Sequence, residues 1–464
     1  MMLYRALRRM ARIALAWYYA DLVVQGSEHV PTKGPLLLVA NHPNALVDAL
    51  VVVVTVPRRV QLTAKATLFE HPLLAALLRA VGAVPLRRAQ DERLATATAP
   101  TVTRNTDAFL AVTTALAEGG AILVFPEGIS HDAPALAPLR TGAARMALMA
   151  HAAGVRGLRL VATGLIYEEK EHPRSRIEAR FDEPLELDAW LALHAGDATA
   201  LTAELDARLR RVTLNFATQA RAQQAMRLAR TLEALAGRVT TIAQPRALGP
   251  QADIARRIDA ARDALAEAPA AVVQHASALV ASTEAFERRL AARGISLSEL
   301  RVSPAAAPGA WFVVREASLL VLAAPVALVD RFAHDIPIRI ARWYARRSRA
   351  ADPSRDQPAM RTIVAGTGLL LIWYVAIGSA LLHWLGPAVA VLALATMVLS
   401  ASAEPALRDR LARARRRART YVALRAHPDA RAQALAEADR LLEDALELEH
   451  ALPLATSEAA RDER

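Results

Sequence analysis

Leu36-Leu37-Leu38-Val39-Ala40-Asn41-His42-Pro43-Asn44-Ala45-Leu46-Val47-Asp48 is the stretch on which the reading of this chain turns. An apolar, strand-like run over 35–40 passes straight into Asn-His-Pro-Asn, and a helical pattern over 45–54 follows. In open α/β sheets, reactive groups gather beyond the carboxyl ends of strands, and His42 stands at such an end. Pro43 suits the first turn of a helix, where its missing N–H costs nothing. An imidazole near neutral pKa takes a proton from an alcohol, and a carboxylate behind it fixes its tautomer and orientation. His42 and Asp48 are six positions apart. On one regular helix they would point roughly 120° apart. They meet only if His42 lies in the turn before the helix, which Pro43 favours. A capping histidine and an exposed aspartate are the plainer reading of the same pair.

Further outward, short apolar runs over 60–64, 81–86, 121–125, 158–167 and 176–181 alternate with helical patterns over 73–80, 105–118 and 141–153. Residues 27–186 thus read as an α/β layered domain with a mostly parallel sheet flanked by helices. Three of its segments carry chemistry. Gly82-Ala83-Val84-Pro85-Leu86-Arg87-Arg88 is a strand ending in paired arginines. Phe125-Pro126-Glu127-Gly128-Ile129-Ser130-His131-Asp132 is a strand ending in a Glu-Gly turn. Pro138-Leu139-Arg140-Thr141-Gly142 enters a helix, whose N-terminus favours anions. The set suits an alcohol nucleophile on a substrate that carries phosphate. Lys65 either helps bind a phosphate or CoA or is an exposed lysine. His131 and Asp132 are a weaker base candidate, because adjacent side chains rarely face each other. Ser130 lacks the Gly-x-Ser-x-Gly turn of a serine hydrolase.

Taken in order, Asn41-His42-x5-Asp48, Gly82-x5-Arg88, Phe125-Pro126-Glu127-Gly128 and Leu139-Arg140-x-Gly142 resemble the glycerolipid acyltransferases. The resemblance covers 26–184. The usual first motif of that family is His-x4-Asp; the His-x5-Asp form here, with Ile129-Ser130-His131-Asp132 after Pro-Glu-Gly, is similar to the fungal-type glycerol-3-phosphate/dihydroxyacetone-phosphate branch. Val161-Ala162-Thr163-Gly164 stands where the family's fourth block usually has a proline. The resemblance implies that His42 is the general base and that Asp48 orients it. It implies that Arg88 and Arg140 bind the acceptor phosphate, with Arg87 beside them, and that Glu127 and Gly128 shape the acceptor site. The implied co-substrate is acyl-CoA or acyl carrier protein, the acceptor glycerol-3-phosphate or dihydroxyacetone phosphate, and no metal or redox cofactor is expected. A 1-acylglycerol-3-phosphate acceptor fits the same motifs. A degenerate, lipid-binding scaffold would have lost His42, Asp48 or Glu127, and all are present.

The composition of all 464 residues agrees with a membrane partner. Hydrophobic residues make up 54%, the formal net charge is +11, and among 57 basic residues only Lys33, Lys65 and Lys170 are lysine. Arginine suits phosphate and anionic lipid, because its planar fork binds two oxygens at once. Nucleic acid is disfavoured: no zinc-finger spacing or aromatic platform is present. The lack of cysteine excludes disulfides, thiolate metal sites and a cysteine nucleophile.

Around the catalytic segment, 1–26 reads as a basic amphipathic helix, 187–300 as a helical region with long helices over 201–236 and 252–293, 301–404 as a membrane region, and 405–464 as an arginine-rich helical tail. A bilayer core of about 30 Å needs about 20 helical residues. The uncharged runs 362–382 and 388–403 therefore read as a C-terminal transmembrane hairpin. Residues 317–329, closed by Asp330 and Arg331, are too short to span and are expected to be interfacial or buried. The catalytic domain is expected on the cytoplasmic side of an integral membrane protein.

Overall fold

The computed structural model describes residues 2–70, 72–86, 101–236, 249–301, 306–349 and 358–452. In chain order the elements are α1 (Met2–Tyr18), β1 (Asp21–Gln25), β2 (Leu36–Ala40), α2 (Ala45–Thr55), β3 (Gln61–Lys65), α3 (Pro72–Val81), β4 (Val84–Leu86), α4 (Thr101–Ala117), β5 (Ala121–Val124), α5 (Gly142–Ala152), β6 (Arg159–Tyr167), β7 (Arg176–Phe181), β8 (Leu185–Glu186), α6 (Leu187–Leu193) and α7 (Ala198–Val212). Then follow α8 (Gln219–Leu235), α9 (Gly249–Ala264), α10 (Ala270–Ala292), α11 (Ala306–Arg349), α12 (Pro358–Leu385), α13 (Pro387–Ala426) and α14 (Pro428–Ala451). Two compact units result: Met1–Asn215 with Pro337–Trp373, and Phe216–Ile336 with Tyr374–Arg464.

The first unit is the expected α/β layered domain. Its strands lie in the order β1-β7-β6-β2-β5-β3-β4, with β8 also beside β6. The pairs β1–β7, β6–β2, β2–β5, β5–β3 and β3–β4 are parallel. Strand β6 runs antiparallel to β7 and β8. All five residues of β2 are buried, which is why its run is continuously apolar rather than alternating. The strand's two-residue period sends Leu37 and Val39 into one core with Leu116, Met146, Leu160 and Leu205. It sends Leu36, Leu38 and Ala40 into the other, with Leu15, Val51, Val52 and Ile177. Sandwiched between two cores, β2 holds its carboxyl end rigidly, and the His42 turn grows from that end.

Several boundaries differ from the sequence reading. The N-terminal segment is a helix only to Tyr18; β1 follows and pairs with β7, a partner some 150 residues away that no local pattern reveals. The helices expected over 201–236 and 252–293 are each two helices. The first breaks at 213–218, where the Thr218 side chain caps α8 by accepting from the Arg221 N–H. The second breaks before α10, with Pro269 at its N-cap. Residues 187–215, read with the helical region, fold into the first unit: Trp190, Leu201, Leu205 and Leu209 are part of its core. The second unit has its own core of Leu235, Leu279, Phe286, Leu290, Leu424 and Leu441.

Residues 317–329 do not form a short apolar helix that stops at Asp330. Helix α11 continues to Arg349, and its apolar part, Gly309–Tyr344, is long enough to cross a membrane. Asp330 does not end it because its carboxylate lies 2.7 Å from Nδ1 of His334 one turn on, and Nε2 of His334 lies 2.7 Å from the Tyr374 hydroxyl. Within α12, Met360–Leu385 is likewise long and apolar enough to span, and it contains the expected run 362–382. The run 388–403 opens the 40-residue α13, but its apolar part, Pro387–Ala401, is shorter than a span. Trp311, Val321, Leu322 and Phe332 on α11 and Ile372, Val375 and Trp384 on α12 are exposed, an arrangement costly in water and natural in lipid.

Candidate active site

The sheet brings the reactive segments together where β2 and β5 end. His42 lies in the turn after β2, before α2 begins, so the pairing that a single helix forbids is made. Its Nδ1 is 2.9 Å from Asp48 Oδ2. The ring stacks on Phe125 at 3.9 Å between centroids. His42 is 7% exposed and Asp48 fully buried. A buried carboxylate is costly unless its oxygens are satisfied. Asp48 accepts from three donors: Oδ2 also takes the Asn44 N–H at 2.6 Å, and Oδ1 takes the Tyr167 hydroxyl at 2.6 Å. The turn is held in a strained shape. Ala45 has φ of 47°, a left-handed value that costs a non-glycine residue about 1 kcal/mol or more. Its N–H donates to Ser130 Oγ at 2.9 Å, which anchors it there.

Glu127 ties the turn after β2 to the loop after β5. It is 3% exposed. Its Oε1 accepts the His42 N–H at 2.7 Å, and its Oε2 accepts the Ala137 N–H at 2.8 Å. Nε2 of His131 also contacts Oε2. That hydrogen bond is the chief reason the His131 imidazole is held above its ordinary pKa; burial pulls the other way and Glu127's charge adds to the rise. His131 is thus bound to Glu127. Lys170 binds the Asp132 carboxylate at 2.7 Å and the Pro43 carbonyl at 2.6 Å. It thereby bridges the loops after β2 and β5.

Gly128 has φ of 73°, and a Cβ there would sit 3.0 Å from Cδ and Nε of Arg140. The glycine lets the Arg140 side chain lie across the turn. Arg140 is exposed, and its N–H donates to the Pro126 carbonyl at 2.9 Å. Lys65 is the last residue of β3, in register with Leu86; its side chain lies outside the described set. Arg87 and Arg88 lie outside the described residues. Among those described, no three His, Asp or Glu side chains are grouped to hold a metal ion.

Three contributors escaped the sequence reading, and a fourth, Asn41, stood there only as part of the first motif. Tyr167 and Lys170 reach the site from 119 and 127 positions away. Asn41 pairs through its side chain with both the N–H and the carbonyl of Leu165, at 2.7 and 3.1 Å. Tyr19 accepts from the Asn44 amide at 2.9 Å. The tyrosine hydroxyls of Tyr19 and Tyr167 are both pushed to high pKa, chiefly by burial, so they remain protonated hydrogen-bonding groups. Asn41 alone had a local signal, its place beside His42.

The chain is similar to known proteins over part of its length. Residues 21–161 match the family model described as Acyltransferase. An uncharacterized acyltransferase of Schizosaccharomyces pombe is 26% identical over 254 residues, 38% of this chain and 38% of that protein. Glycerol-3-phosphate O-acyltransferase 2 of Saccharomyces cerevisiae is 40% identical over 85 residues, 18% of this chain and 11% of that protein. The chain thus spans well under half the length of either relative. The crystal structure of the 1-acyl-sn-glycerophosphate (LPA) acyltransferase PlsC from Thermotoga maritima superposes with a TM-score of 0.35 at 18% identity, over 45% of this chain and 77% of that one. The segment that matches the Acyltransferase family model, residues 21–161, holds His42, Asp48, Glu127, Gly128 and Arg140.

Proposed function

We propose that this protein transfers a fatty acyl group from the thioester of acyl-CoA or acyl carrier protein to a hydroxyl of glycerol-3-phosphate or dihydroxyacetone phosphate. The observation that carries the reading is the buried His42–Asp48 pair at the end of β2. With Nδ1 turned to Asp48, Nε2 is the nitrogen left to take the acceptor's hydroxyl proton. The oxygen then attacks the thioester carbonyl, the C–S bond breaks, and the imidazolium returns its proton to the departing thiolate. Asp48 stabilises the imidazolium between these steps. The route uses no metal or redox group. The choice of acceptor is supported by the named Saccharomyces cerevisiae relative and by the His-x5-Asp spacing.

The test is acyl transfer in washed membranes, comparing glycerol-3-phosphate, dihydroxyacetone phosphate and 1-acylglycerol-3-phosphate with both donor types, and the His42→Ala protein as blank. Transfer chiefly to 1-acylglycerol-3-phosphate would shift the reading to a lysophosphatidate acyltransferase. No transfer to any of the three would sink it.

Arg140, with Arg87 and Arg88, is assigned to the acceptor phosphate. Because Arg140 is exposed, its contact is screened and worth about 1 kcal/mol. Arg140→Ala is therefore expected to raise KM for the phosphorylated acceptor about 5-fold and to leave KM for the acyl donor unchanged. Equal rises in both would remove the assignment.

We also propose an integral protein with its catalytic domain in the cytoplasm, where the acyl donors are. Arginines crowd 339–361 before the candidate hairpin and 408–419 after it, while 383–387 has none. Reporters fused near Gly309 and near Asp352 are expected on the cytoplasmic side, and one at Gly386 outside, so that α11, although long enough to cross, lies in the membrane surface, and the shorter apolar part of α13 returns the chain. Opposite sides for Gly309 and Asp352 would make α11 a span.

A further inference from the structure

We propose that Tyr167 is a positioning residue for the acid–base pair, its hydroxyl fixing Asp48 Oδ1 so that Oδ2 faces His42. The inference rests on the assignment of His42 and Asp48 above. A carboxylate turns freely about its terminal bond unless both oxygens are engaged. Here Oδ2 is shared by His42 Nδ1 and the Asn44 N–H, and Oδ1 is held by the Tyr167 hydroxyl at 2.6 Å. Tyr167 closes β6, the strand next to β2 in the sheet, and its backbone is paired with Ile177 of β7. The hydroxyl is therefore delivered by a rigid element rather than by a loop.

The bond orients Asp48, which raises the fraction of imidazole in the productive tautomer. The other charged and polar groups near the pair are accounted for. Glu127 binds the His42 N–H and is itself engaged by His131. Lys170 is paired with Asp132. Tyr19 is bound to Asn44; its ring lies 6.0 Å from that of Tyr167.

The test compares Tyr167→Phe with Tyr19→Phe in the full-length membrane protein. Each removes one buried hydroxyl, but only Tyr167 touches Asp48. Tyr167→Phe is expected to lower kcat about 10-fold and to leave both KM values within about 2-fold. The His42 Nδ1–H proton, assigned by its loss in His42→Ala, is also observed by NMR with labelled histidine, as the hydrogen-bonded signal of the tautomer turned to Asp48. That signal is expected to be lost or broadened in Tyr167→Phe and retained in Tyr19→Phe. The NMR measurement needs no turnover, so it separates failure of this proposal from failure of the acyltransferase reading. A protein with a lowered melting temperature but unchanged kcat and an unchanged His42 signal would reduce Tyr167 to packing and overturn the proposal. So would an equal loss of the signal in Tyr19→Phe.

Discussion

His42→Ala is expected to lower the acyl-transfer rate by about 10²-fold or more while the protein stays folded. The rate loss follows from the removal of the imidazole paired with Asp48. The preserved fold follows from what the truncation leaves behind. Asp48 keeps two of its three donors, the Asn44 N–H and the Tyr167 hydroxyl, so its buried charge is not stranded. The tie from Glu127 is made to the backbone N–H of residue 42 and survives the change. What is lost besides is the stacking of one ring on Phe125, a partly buried side chain at the edge of one core. Turnover in membranes, read beside a melting curve and the binding of the phosphorylated acceptor, decides the matter. A folded variant with normal turnover would remove His42 from the mechanism.

The part of this site that was legible in the sequence is the part made by neighbours in the chain. Strand β2, the Asn41–Asn44 turn and α2 are consecutive, so their apolar run, proline and carboxylate spacing could be read together. Glu127, Gly128 and Arg140 were legible as residues, but the role of Glu127 was not. Nothing local says that its carboxylate is consumed by the His42 N–H, the Ala137 N–H and His131. Tyr167 and Lys170 were illegible for a deeper reason. Their partners lie on other strands and loops, and a tyrosine or lysine after an apolar strand has no distinctive pattern. The membrane region failed in the opposite way. Asp330 looks locally like the end of an apolar helix, yet a histidine one turn on and a tyrosine on α12 satisfy the pair, and the helix continues. Local rules price an unpaired charge, and pairing is a tertiary fact.

Gly164→Ala is expected to be among the most destabilising single changes in the first unit. Gly164 belongs to the Val161–Gly164 block, where the sequence alone showed a glycine without a reason. The reason is the last turn of α7. A Cβ on residue 164 would stand 2.0 Å from the Val212 carbonyl oxygen and 2.6 Å from its carbon. These are backbone atoms, so no rotamer change relieves the overlap. Ordinary carbon contacts are about 3.5 Å or longer, so the end of α7 must withdraw by more than about 1 Å. That withdrawal opens the core around Leu209 and Val212, which pack beside Leu160 and Trp190. Overpacking a core costs about 1–3 kcal/mol and more when the backbone must move. At about 3 kcal/mol the melting temperature of a unit this size falls by roughly 6–12 °C. Activity should fall with it, because the next residue, Leu165, holds the Asn41 side chain beside His42. Gly142→Ala is the matched control. It lies at the start of α5 with nothing within 4 Å of its Cβ position, so the same substitution there should be neutral or raise stability by up to about 1 kcal/mol. Equal melting temperatures for the two variants would mean that β6 and the end of α7 do not pack as closely as these distances require.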